Sequence, residues 1–171
     1  MAAAALGPGR IIWPLVPTAT VVAGMVLSLL PFGLNGLIVT PAFALVPIFF
    51  WAIHRPPLLP PFIVFALGLT QDFATFGPIG LWAVVFLIAY SVTLWQSSEI
   101  AGMPMRYAWA AFGGVVLAAL LGGWFAASVY NSRFLAIAPV FVQALTTSAV
   151  LPLFAWLLVI FEREIAATSR H

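Results

Sequence analysis

Long apolar runs alternate with short polar or proline-containing breaks along this chain, at a spacing that predicts helices of membrane-crossing length. A straight helix needs about 20 mostly apolar residues to cross a hydrocarbon core roughly 30 Å thick. Six runs approach that length, at 11–30, 37–53, 58–76, 79–95, 107–129 and 137–161. The third is the weakest. It reaches a spanning length only by including Gln71 and Asp72, and it opens on Pro60 and Pro61, so a short or kinked helix is expected there. No heptad array, low-complexity tail or repeat of solenoid period interrupts the pattern. The expected fold class is all-α, one domain over residues 1–171 built as a bundle of six transmembrane helices with short loops.

Composition strengthens this expectation. With 64% hydrophobic and 6% charged residues among 171, the chain has too little polar surface to coat a water-soluble globule. It contains no cysteine, which removes disulfides, thiolate metal sites and thiol nucleophiles. Its net charge of +2 rests on six scattered arginines, without the clustered basic patch that a nucleic-acid partner requires.

The arginines also orient the bundle, because short cytoplasmic loops carry the basic excess. With six spans and the N-terminus inside, Arg10, Arg55, Arg106, Arg163 and Arg170 are cytoplasmic and Arg133 alone lies outside. Removing the third span abolishes this bias, so charge favours a crossing that hydropathy supports only weakly. The first run is too long for a signal-peptide core and no small-residue cleavage pattern follows Leu30, so it is expected to be retained.

Candidate chemistry is sparse. Four acids (Asp72, Glu99, Glu162, Glu164) and two histidines (His54, His171) do not converge in sequence. Neither a nucleophile with its base nor a carboxylate pair is visible, so no catalytic residue, cofactor or metal site is expected. His54 and Arg55 open a proline-rich turn, and Glu162, Arg163 and Glu164 read as an interfacial stop after the last span.

Packing signals are stronger. Ala110, Gly114, Ala118, Gly122 and Ala126 recur every four residues in the fifth span, a ridge of small side chains that permits close helix approach in a membrane. Packing within the bundle or against another protein's helix would both use it. Ala19 and Ala23 form a shorter pair. In the sixth span Gln143, Thr146 and Thr147 fall on one helical face, a polar face expected to point inward as bundle hydrogen bonding or as a cavity lining. Tyr90 and Thr93 raise the same choice in the fourth span.

The run "LPPFIVFALGLTQDFATFGPIGLWAVVFLIAY", preceded by "FFWAIHRPP", resembles the signature of the rod shape-determining membrane protein family MreD. That signature is a Gly-Leu-x-x-Asp step followed by a Gly-x-x-Gly-Leu turn, here Gly68, Leu69 and Asp72, then Gly77, Gly80 and Leu81. Outside residues 51–90 the likeness is one of hydropathy. The resemblance implies a non-catalytic component of the bacterial inner membrane that binds MreC. The MreB cytoskeleton, a RodA-type polymerase and a penicillin-binding transpeptidase would belong to the same peptidoglycan-elongating complex. MreD proteins are also considered similar in fold to the substrate-binding subunits of energy-coupling-factor vitamin transporters. That similarity implies an alternative in which Gln143, Thr147 and Tyr90 contact a ligand and Ala19 and Ala23 dock a transport subunit.

Asp72 is the one charge inside the motif. At mid-bilayer it would cost about 2.5–3.5 kcal/mol, and an intramembrane carboxylate is functional by default. Six-span topology instead puts it at the outer end of a short helix. There its oxygens can accept from the free N–H groups that start the fourth span, a role in which asparagine would serve, or it can meet a partner or ligand.

Overall fold

The computed structural model describes residues 15–30, 40–100, 102 and 104–168, with the side chains of all but 105 and 155–168. Six α-helices run through the described residues: α1 Leu15–Leu29, α2 Leu45–His54, α3 Pro61–Thr75, α4 Leu81–Ile100, α5 Met105–Tyr130 and α6 Ala138–Thr168. A single 3-10 turn, Pro56–Leu58, joins α2 to α3, and no strand occurs among the described residues. The all-α expectation therefore holds at the level of helix content and order. By length and composition α4 and Arg106–Tyr130 of α5 could each cross a membrane, whereas Leu15–Leu29, Leu45–His54 and Ala138–Phe154 are apolar but shorter.

Proline and glycine set most boundaries. Pro61 opens α3 at the first helical position, where its missing N–H would have had no partner anyway and its fixed φ suits the helix. Pro104 stands just before α5, and Gly102 adopts φ +97° in the short α4–α5 connection. Pro152 lies inside α6, and the helix continues past it.

The largest departure from the sequence reading is in the second run. Residues 37–53 predict a span, yet the helix begins only at Leu45 and rises about 15 Å over its ten residues. Residues 37–39 lie outside the described residues, and 40–44 are not helical. Every residue from Leu45 to Ala52 is buried. A helix apolar on all sides belongs in the core, and α2 touches α1, α4 and α6 there. The chain around it continues as α3 against α4, α4 against α5 and α5 against α6. Ile48, Trp51, Phe86, Phe112 and Val116 join one apolar core, with the Phe49 ring edge-on to Phe112 at 5.0 Å.

Expectations for Arg10, Arg170 and His171 fall outside the described residues, as do the side chains of Glu162, Arg163 and Glu164.

Candidate functional site

The corner between α3 and α4 is built around Asp72. Its side chain is 1% exposed, and each carboxylate oxygen accepts a backbone N–H. Gly80 donates to Oδ2 at 2.8 Å and Trp82 donates to Oδ1 at 2.7 Å. The first N–H groups of a helix have no intrahelical acceptor. At the start of α4, the N–H groups of Gly80 and Trp82 find theirs on the preceding helix, while Leu81 donates to the Pro78 carbonyl at 3.2 Å. A carboxylate at this position also meets the positive end of the α4 dipole, and such charge-assisted bonds are among the stronger kind.

The main chain closes the same corner. The Asp72 carbonyl accepts from Gly77 N–H at 3.3 Å, and α3 ends on Phe76 in the left-handed conformation, φ 53°. Gly80 at φ +96° occupies a region that side chains rarely adopt. One turn before Asp72, Gly68 faces Ala83 so closely that an added Cβ would fall on the Ala83 Cα and within 2.6 Å of its nitrogen. Gly68, Asp72 and Gly80 are thus joined in one unit, a close helix crossing locked by a carboxylate cap. Leu69 beside them is half-buried. Gly77 has ordinary room, its nearest neighbour being Thr75 Oγ1 at 3.5 Å.

Gln71, the neighbour of Asp72, is 2% exposed, and its Oε1 has no hydrogen-bond partner. The sequence reading passed over it. The polar triplet Thr70, Gln71 and Asp72 inside an apolar run was the available signal.

The polar face of α6 divides. Thr147 is fully buried and its hydroxyl accepts the Ala42 N–H at 2.9 Å. Gln143 Nε2 donates to the Thr40 carbonyl at 3.0 Å. Both side chains therefore hold the non-helical 40–44 segment that precedes α2. From the other side, Ser28 of α1 accepts the Phe43 N–H at 3.1 Å, and Gly24 allows α1 to approach the Ala44 backbone. Thr146 takes no part. Its hydroxyl donates back to Val142 in its own helix at 2.9 Å. Tyr90 is buried and its hydroxyl donates to the Pro56 carbonyl at 3.3 Å. Buried Thr93 bonds back to Ala89 at 2.7 Å.

The small-residue ridge of α5 is largely uncovered in this chain. Ala110, Gly114 and Ala118 are exposed, and Gly122 and Ala126 are half-buried. A Cβ at Gly114 would meet nothing within 4 Å, whereas one at Gly122 would run into the tip of Ile88. Intramolecular packing of α5 uses the adjacent rows instead, through Phe112, Val115, Val116, Ala119 and Leu120, and through Gly123, whose added Cβ would lie 2.5 Å from Val85. Ala19 and Ala23 are exposed as well.

A cavity of about 410 Å³ opens between α4, α5 and α6, walled by Trp82 and Trp124 with Gln143 at its edge. Trp124 is fixed by donating to the Leu135 carbonyl at 3.1 Å, and Trp82 carries one of the N–H groups bound by Asp72. No cluster of three His, Asp or Glu that could hold a metal occurs among the described residues. His54 is exposed and stacks on Phe50 with centroids 4.2 Å apart.

Comparison with family models, with curated proteins and with solved structures finds no match to this chain.

Proposed function

We propose that this chain is a multi-pass protein of the bacterial inner membrane. In this reading it is a non-catalytic scaffold of the rod complex that binds an MreC-type partner and supports peptidoglycan synthesis, like the MreD proteins whose motif it resembles. MreB, a RodA-type polymerase and a penicillin-binding transpeptidase are the expected companions. One observation carries this reading. Gly68, Asp72 and Gly80, which also carry the resemblance, are physically coupled in a single corner, as residues of a fold-determining signature should be. The surface adds support. Large apolar side chains such as Phe62, Phe73, Trp95, Phe125, Leu145 and Leu153 are each more than 60% exposed, and apolar surface on this scale needs lipid or protein to cover it.

A second reading, the substrate-binding subunit of a vitamin-type transporter, is favoured by the tryptophan-walled cavity. All three ligand contacts it would use, Gln143, Thr147 and Tyr90, already hydrogen-bond the backbone. Depletion of the protein in its native bacterium, followed by microscopy, separates the two readings. Rounded cells are the expected outcome, whereas normal rods with a vitamin requirement would contradict the scaffold and favour transport.

A further inference from the structure

We propose that the groove between α5 and α6 binds an anionic phospholipid of the leaflet on the Arg106 side, with an acyl chain along the groove and the phosphate at Arg106. The inference rests on the membrane reading above.

The groove is built from matching faces. Arg106, Trp109, Ala110, Gly113 and Leu117 line it from α5, and Phe141, Ala144, Leu145 and Ser148 line it from α6. Of these, Trp109, Phe141 and Leu145 are exposed and Ala144 is buried. Trp109 Nε1 donates to the Ser148 carbonyl at 2.7 Å, so one wall is fixed in place before any ligand arrives.

Its dimensions select a hydrocarbon chain over a helix. The groove is open along its outer side and has a volume of about 340 Å³, and the rise of α5 from Arg106 to Leu117 is about 16 Å. The mean section is therefore roughly 20 Å², whereas a helix about 10–12 Å across with its side chains has a section of roughly 100 Å². A helix could lie over this groove but could not enter it.

Charge completes the match. Arg106 stands in the first turn of α5, where the helix dipole is already positive and disfavours a cation. Its guanidinium lies 4.9 Å from the Tyr107 ring centroid, and no carboxylate among the described side chains pairs with it. A phosphate there would answer both charges, and basic pockets between helices on the cytoplasmic side suit anionic headgroups.

The test uses the full chain, sedimented with bacterial membranes, extracted in mild detergent and exchanged against phosphatidylglycerol or phosphatidylethanolamine before native mass spectrometry. Wild-type protein should retain phosphatidylglycerol roughly fivefold over phosphatidylethanolamine, the factor that one cation near an anionic surface supplies. Arg106→Gln should abolish that preference. Ala110→Leu, an exposed substitution that obstructs the groove without entering the core, should reduce retention of both lipids. Arg133→Gln, in the turn beyond the far end of α5, should change neither. An unchanged preference in Arg106→Gln, or unchanged retention in Ala110→Leu, overturns the proposal. So does loss of a copurifying protein from Ala110→Leu while lipid stays bound, which would assign the groove to a partner helix. A chain that does not sediment with membranes removes the underlying reading as well, whereas a membrane-bound chain without lipid selectivity removes this proposal alone.

Discussion

The α3–α4 corner and the outer face of α5 both place glycine on a helix, Gly68 in one and Gly114 in the other, and end in opposite environments. At the corner, Gly68 lets two backbones touch and Asp72 ties the start of α4 to α3. On α5, Ala110, Gly114 and Ala118 look outward with open space beside Gly114. Small side chains permit close approach but do not create it. At the corner, a buried carboxylate with two backbone donors fixes the crossing. On the α5 face nothing among the described residues does so, and that surface is open to lipid or protein.

Substitutions that add bulk should separate these two regions most strongly. Gly68→Leu would drive a side chain into the Ala83 backbone, which cannot rotate away. A loss of about 3 kcal/mol or more should appear as absence of folded protein in the membrane fraction. Gly114→Leu, with open space at its Cβ, should fold normally and affect only recovery of a partner or lipid. If Gly68→Leu accumulates at wild-type levels, the close crossing is wrong.

Removing the carboxylate comes next. Asp72→Leu leaves the Gly80 and Trp82 N–H groups without their acceptors, each at about 1–3 kcal/mol. From sequence, Asn is expected to substitute largely well in this role, but both oxygens are engaged. The amide nitrogen of Asn would face a donor, so Asp72→Asn should lose one of the two bonds, again about 1–3 kcal/mol. Thermal unfolding in detergent should rank wild type above Asn and Asn above Leu. Equal stability of Asn and wild type would mean that one of the two bonds contributes nothing.

Within the ridge, Gly122→Leu meets the flexible end of Ile88 and should destabilise by about 1–2 kcal/mol. Ala118→Leu, on an exposed position, should stay within about 0.5 kcal/mol of wild type. A fall in folded yield for Ala118→Leu would show that the ridge is covered inside the native assembly.

The smallest expected effect has the opposite sign. Gln71 carries a buried oxygen without a partner, and leaving such a group unpaired costs about 1–3 kcal/mol. Gln71→Met, similar in volume, should leave the unfolding temperature unchanged or raise it. A marked drop would reveal an acceptor role for this oxygen.

The sequence made helix content, helix order and the Asp72 cap legible, because each depends on local signals: apolar runs, prolines and a lone carboxylate before a glycine turn. The second helix was misread because its limit is tertiary. Residues 40–44 stay non-helical while Thr147 and Gln143, more than 100 residues away, and Ser28, 15 residues away, satisfy their backbone groups, and hydropathy cannot register such hydrogen bonds. Pro41 was the one local hint, since it disfavours a helical Thr40. The same limit applies to α5. Periodicity identified the small face, but whether that face turns inward depends on Phe112, Val116 and Leu120 claiming the core first.

The most direct test of the Asp72 account is a paired measurement on Asp72→Asn in the native bacterium, comparing membrane abundance with complementation of rod shape. A carboxylate that caps α4 predicts that the two fall together, with shape restored when expression is raised to compensate. Loss of rod shape at wild-type abundance would contradict this, because the charge would then be needed by something outside the chain.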